Sequence, residues 1–197
     1  MAFGHWLLQL DHTITFFFYR SGAFNPTVQK LLFQLSEYFV YLLPLILLYL
    51  FWRGGQDRVN SAKIFLAAII PWVIFTTLLG GYLFSHFGFR ERPFASLGIQ
   101  ELFLKRPDKA FPSDHATVLM AATLAFFAYR YKGLGWLFLV GGVILSSLAR
   151  VAVGFHWFGD ILGGFVSGAL GVWLIWAFDR PLNVWLTRLL VWNRDGN

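Results

Sequence analysis

Cysteine is absent from the 197-residue chain, which excludes disulfides, thiolate metal sites and cysteine nucleophiles. Charge is scarce as well: Asp, Glu, Lys and Arg make up 13% of the residues, against about 25% in an ordinary soluble domain. Hydrophobic residues reach 57%, with 23 Phe, 9 Trp and 7 Tyr. A soluble globule of this size could not hide that much apolar surface behind so few charges. The solvent for most of the chain is lipid. Acidic residues are the scarcer kind, 10 against 16 basic, for a formal net charge of +6. The basic residues are spread between apolar runs rather than clustered. That argues against nucleic acid and for an anionic membrane surface or an anionic substrate. The N-terminus lacks a basic leading segment, and no small-residue cleavage site follows its apolar stretch, so it does not read as a signal peptide.

A spanning helix needs about 20 mainly apolar residues. Five stretches qualify: Leu31 to Trp52, Ser61 to Phe84 with Pro71 inside it, Asp114 to Tyr131, Leu134 to Val153, and Asp160 to Phe178. The expected fold is all-α, an integral membrane helical bundle of five transmembrane helices. Residues 1–28 are interrupted by His5, Asp11, His12 and Arg20 and read as an interfacial amphipathic segment, with a sixth short or re-entrant span as the alternative. Residues 29–179 form the transmembrane domain. Residues 180–197, with Trp185 and Trp192 among Arg188 and Arg194, form a C-terminal interfacial tail. Glycines in the last two spans allow close helix approach.

The loop from Ser85 to Ser113 and the turn near His156 are separated by two spans, so both face the same side of the membrane. Orientation is less marked, because five spans divide the 16 Lys and Arg evenly between the two sides. Setting aside Arg92 and Arg150 as site residues tips the count towards a cytoplasmic C-terminus and an outward-facing site.

Ionisable residues beside a membrane's apolar region are functional candidates by default. Three clusters stand out: Arg90-Glu91-Arg92-Pro93-Phe94, Pro112-Ser113-Asp114-His115, and the run from Arg150 through His156 to Asp160. Arg92 and Arg150 offer planar fork donors suited to phosphate. Ser113 sits at an expected helix start, where free N–H groups favour an anion. His115 and His156 provide a nucleophile or an acid/base pair. Asp160, four residues after His156, is placed to hold one imidazole nitrogen protonated and aim the other at substrate.

With these clusters in order, the chain resembles the phosphatidic acid phosphatase type 2 family of membrane lipid phosphatases. The family's Pro-Ser-Gly-His appears as Pro112-Ser113-Asp114-His115, its Ser-Arg…His…Asp motif as Arg150, His156 and Asp160, and its Arg-Pro as Arg92-Pro93. The resemblance covers about residues 30–178. It implies catalysis by His156 as nucleophile, His115 as acid and base, and Asp160 as orienting carboxylate, with Arg92, Ser113 and Arg150 holding the phosphoryl oxygens. No metal or other cofactor is implied, and the sequence carries no carboxylate cluster of the kind Mg²⁺ needs. Asp114 and Lys105 join the substrate-binding candidates.

The chain departs from the family at three places. The first-motif Lys falls on Ser85, for which Arg90, Lys105 or Lys109 could substitute. The Ser before Arg150 is Ala149. Asp114 replaces Gly, where an Asp suits a helix cap but sets a carboxylate beside a phosphate site. Pro-Ser-Asp-His after Phe111 and the run Arg92-Pro93-Phe94 are similar to the branch acting on undecaprenyl diphosphate. The implied partners are a polyprenyl or other phospholipid substrate and membrane lipids, in a bacterial inner membrane with the site on the periplasmic side. Phosphatidate, phosphatidylglycerophosphate and lipid A phosphates are alternative substrates. A non-hydrolytic lipid-phosphate binder or transporter, or a phosphotransferase, would be a different class. His5 and His12 are expected to be interfacial, and Glu37 and Tyr38 to mark the interface or pair with a helix. His86 is a lesser candidate for substrate contact, and Arg106 a solvated or lipid-binding charge.

Overall fold

The computed structural model describes residues 2–23, 25–87, 90–96 and 109–191. Eight helical segments follow one another along them: α1 (Ala2–Ala23), α2 (Pro26–Arg53), α3 (Gly55–Phe87), α4 (Pro93–Ser96), α5 (Asp114–Ala128), α6 (Lys132–Ala152), α7 (Phe158–Ala177) and α8 (Asp179–Leu190). Among the described residues, α2, α3, α6 and α7 are long and apolar enough to cross a membrane. The chain is an all-α helical membrane bundle.

Local chemistry explains where the helices begin and bend. Helix α2 starts ahead of the expected Leu31 because Asn25 caps it, accepting from the N–H groups of Thr27 (2.8 Å) and Val28 (3.4 Å), with Pro26 at the first turn. It tightens over Phe39–Tyr41, just before Pro44, which has no N–H to offer the carbonyl four residues back. Gly54, at φ +79°, ends it. Helix α3 continues past Pro71 by widening its turns over Trp72–Gly80, and Thr76 Oγ1 donates to the Trp72 carbonyl in that stretch.

Helix α5 differs from expectation. It stops at Ala128 after 15 residues, about 22 Å of rise against about 30 Å of hydrocarbon. The length rule applies to helices facing lipid, and α5 lies inside, packed on α3, α6 and α7. Leu119, Ala121, Ala122, Ala125 and Phe126 form the core there with Leu47, Ile64, Phe138 and Ile175 from its neighbours. A Cβ on Gly164 would meet Ala116 Cβ at 2.7 Å, so α7 can lie this close to α5 only without one. Large apolar residues such as Leu45, Trp52, Leu78, Val166 and Trp176 point outward as the lipid-facing surface. At the end nearest the α3 N-terminus, buried Lys63 pairs with Asp179 at 2.8 Å, and Tyr129 donates to the same carboxylate at 3.0 Å, tying α3 and α5 to α8.

Candidate active site

The residues singled out from the sequence meet at the other end of the bundle. Arg150 lies in the last turn of α6, and the chain then reverses through Val153–Trp157 into α7. Gly154 makes that reversal possible at φ +76°, a region where a side chain would be strained. Its carbonyl accepts from Phe94 N–H (3.1 Å), and the next carbonyl, of Phe155, accepts from Arg92 Nη1 (3.3 Å). Arg92 thus arrives from the α3 side onto the α6–α7 turn. The loop carrying Arg92 and the turn carrying His156 thus lie together at one end of the bundle, as span parity requires.

His156 is 2% exposed, and its two ring nitrogens have different neighbours. Nδ1 lies 2.9 Å from the Ala110 carbonyl, which can only accept, so Nδ1 carries the proton. Nε2 lies 3.5 Å from both Arg92 Nη1 and Arg150 Nη2. The Nε2 lone pair therefore lies between two guanidinium groups, the arrangement of a nucleophile beside an anion-binding pair. Burial, then Arg92, Arg150 and His115, hold the His156 imidazole well below its ordinary pKa, so it rests neutral.

Asp160 sits differently from the expected orienting role. Its Oδ2 accepts from Trp157 N–H at 2.8 Å and is 3.6 Å from His156 Nδ1, beyond hydrogen-bond reach. The Ala110 carbonyl occupies the position reserved for it. That carbonyl is set by a short antiparallel bridge between Glu91 and Lys109, with Ala110 N–H donating to the Arg90 carbonyl at 3.2 Å. Any residue could supply a backbone carbonyl, so residue type carried no sign of it.

Ser113, fully buried, is the N-cap of α5: its Oγ accepts from Ala116 N–H at 3.4 Å, and its own N–H donates to the Asp160 carbonyl at 3.0 Å. The cap is therefore Ser113 and not Asp114, which occupies the first helical position. Asp114 is neutralised by Lys109 Nζ at 2.7 Å, answering the problem of a carboxylate beside a phosphate site. His115 follows on α5, close enough to act on the charge state of His156. Ala149 is buried. Ser85 is exposed at the end of α3 and bonded to His86 and the Tyr82 carbonyl; His86 is exposed too and stacks on Tyr82. Lys105 and Arg106 lie outside the described residues, as do Trp192 and Arg194.

Several residues at the site were given other roles by the sequence, or none. Glu37 of α2 faces Arg150 Nη1 at 3.4 Å, beside the Ser36 carbonyl at 2.9 Å, which fits helix pairing. Arg90 pairs with Asp11 and approaches Asp160 Oδ1 at 3.3 Å. It is held by carboxylates rather than offered as a substitute for a missing lysine. Its left-handed backbone, φ +64°, is uncommon outside glycine. Helix α1 docks here as well. Asp11 Oδ1 accepts from Gly159 N–H (2.7 Å), Thr15 Oγ1 from Phe158 N–H (3.1 Å), and His12 stacks on Trp157 with centroids 4.4 Å apart. His12 is thus seated on the residue that follows His156. Only the i, i+4 spacing of Asp11 and Thr15 hinted at one polar face.

Residues 38–183 match the PAP2 superfamily. The chain is 30% identical over 158 residues to the undecaprenyl-diphosphatase BcrC of Bacillus subtilis (strain 168), covering 80% of this chain and 78% of that protein. It is 30% identical over 146 residues to YbjG of Escherichia coli (strain K12), covering 74% and 71%. An undecaprenyl-diphosphatase of Sulfolobus acidocaldarius is 28% identical over 149 residues, 73% of this chain and 66% of that one. No solved structure matches the chain.

Proposed function

The chain belongs to the PAP2 superfamily, and on that premise we propose that it hydrolyses undecaprenyl diphosphate to undecaprenyl phosphate and inorganic phosphate through a phosphohistidine, without a metal. The observation that carries this reading is His156 Nε2 at 3.5 Å from two guanidinium groups, with Nδ1 pinned by the Ala110 carbonyl. The relatives named undecaprenyl-diphosphatase support this choice of substrate.

In the first step Nε2 attacks the terminal phosphorus, and the bond from phosphorus to the bridging oxygen breaks. His115 donates its proton to that oxygen, which leaves on undecaprenyl phosphate. Arg92 and Arg150, with Ser113 at the start of α5, hold the three phosphoryl oxygens over which charge spreads. The phosphorylated imidazole carries positive charge, which the Asp160 carboxylate at 3.6 Å stabilises across space. In the second step His115 takes a proton from water, the oxygen attacks phosphorus, the P–N bond breaks and inorganic phosphate leaves. The cationic pair supplies the charge a divalent ion would otherwise bring. Among the described residues no group of three His, Asp or Glu side chains is gathered to hold such an ion.

Purified protein in detergent with excess chelator is expected to release phosphate fastest from undecaprenyl diphosphate, compared with phosphatidate and phosphatidylglycerophosphate. Faster release from a glycerolipid would replace the substrate and keep the chemistry. No release from any of the three would sink the phosphatase reading.

We further propose that the site faces the periplasmic side of the bacterial inner membrane, on the Lys and Arg distribution. The chain has no cysteine, so single replacements report cleanly. Ser85→Cys, at the site end of α3, is expected to react with an impermeant maleimide in intact cells, and Lys132→Cys, at the far end, only after lysis; the reverse pattern inverts the topology.

A further inference from the structure

Helix α1 precedes the segment that matches the superfamily, yet three of its side chains grip the turn that follows His156. Resting on the phosphatase reading above, we infer that Asp11 of α1 is a positioning residue that holds Arg90 against Asp160 and so fixes the charge behind His156, whereas the Thr15 contact only docks the helix.

The two oxygens of Asp11 act on two different elements. Oδ1 accepts from Gly159 N–H, anchoring the first turn of α7, which carries Asp160. Oδ2 pairs with Arg90 Nη2. Arg90 Nε in turn lies 3.3 Å from Asp160 Oδ1, on the side of that carboxylate away from the Trp157 N–H. The guanidinium also lies 5.5 Å from the Trp157 ring centroid, and His12 stacks on the same ring. Charges therefore alternate from Asp11 to Arg90 to Asp160 to the imidazole that becomes positive during turnover.

Asp160 is fully buried, so its field on His156 is screened little and depends on what else surrounds it. Asp11 keeps the Arg90 guanidinium beside Asp160. Without Asp11 the guanidinium is free to leave, and a buried carboxylate that has lost its cation no longer holds full negative charge behind phosphohistidine. The substrate's phosphate is held by Arg92 and Arg150, not by α1. The effect therefore belongs to turnover rather than to substrate binding.

The test is steady-state kinetics of the full-length protein in detergent on undecaprenyl diphosphate, with size-exclusion profiles and melting curves for each variant. Asp11→Asn keeps an acceptor for Gly159 N–H but removes the charge; it is expected to lower kcat about tenfold with KM within about twofold. Arg90→Gln combined with Asp11→Asn is expected to be no slower than Arg90→Gln alone, since one acts through the other. Thr15→Val removes a docking contact without a charge, and is expected to lower the melting temperature while keeping kcat within about twofold of wild type. A wild-type kcat in Asp11→Asn, a rise in KM alone, fully additive losses in the double variant, or a Thr15→Val kcat as low as that of Asp11→Asn would each overturn the inference. If Asp11→Asn yields no folded protein, Arg90→Gln decides: a kcat loss at unchanged KM supports the inference and an unchanged kcat ends it. Wild-type protein that releases no phosphate would instead remove the phosphatase reading, and this inference with it.

Discussion

His156→Ala is expected to lower kcat on the order of 10⁴-fold, because removing a covalent nucleophile leaves only binding and charge stabilisation. The loss should be in turnover, since Arg92 and Arg150 still hold the phosphate. A phosphorus–nitrogen bond is labile in acid and survives alkali. Brief reaction with substrate labelled in the terminal phosphate should therefore leave label on wild-type protein that persists in alkali and is lost in acid. His156→Ala should carry none. Label that survives acid, or equal label on the variant, would end the phosphohistidine mechanism. The resting charge of His156 adds a pH consequence. Its folded-state pKa lies below the unfolded value of about 6.5, so the unfolded chain binds the extra proton first on acidification. This group's contribution to stability is full above about pH 6.5 and is lost progressively as pH falls below it. Between pH 7.5 and 5.5, wild type should lose more melting temperature than His156→Ala.

Arg150→Met is expected to damage both activity and stability, by separable causes. Arg150 is 2% exposed, donating to the Ser36 carbonyl and facing Glu37 and His156 Nε2. Removing it takes away one of two cationic donors at the phosphoryl group, which should cost about 10²–10³-fold in kcat/KM. It also leaves Glu37 without its buried cation, where breaking such a pair costs about 3 kcal/mol; Glu37 keeps some solvent access, so the lower end of the range applies. The double variant Arg150→Met/Glu37→Gln should recover most of the lost stability and none of the activity. Melting curves and kinetics on the same preparations separate the two. Recovery of activity in the double variant would show that Arg150 acts by holding helices together, not by holding phosphate.

The sequence alone determined the solvent, the helical class and the family, because composition, apolar run length and motif spacing are local properties that survive without a fold. Span parity alone put the Arg92 loop and the His156 turn on one face. The rest depended on contacts that no local pattern records. Helix α5 could be short because α3, α6 and α7 shield it from lipid, which becomes visible only once the bundle is assembled. Asp160, at i+4 from His156, looked like the hydrogen-bond partner; the tertiary structure gave that place to the Ala110 carbonyl, a group every residue carries. Asp11 reaches residues 79 and 148 positions away, so the docking of α1 was decided by packing between distant segments. Arg90 likewise changed from a spare cation to a paired one, because the charge a side chain can offer depends on which carboxylates the fold brings to it.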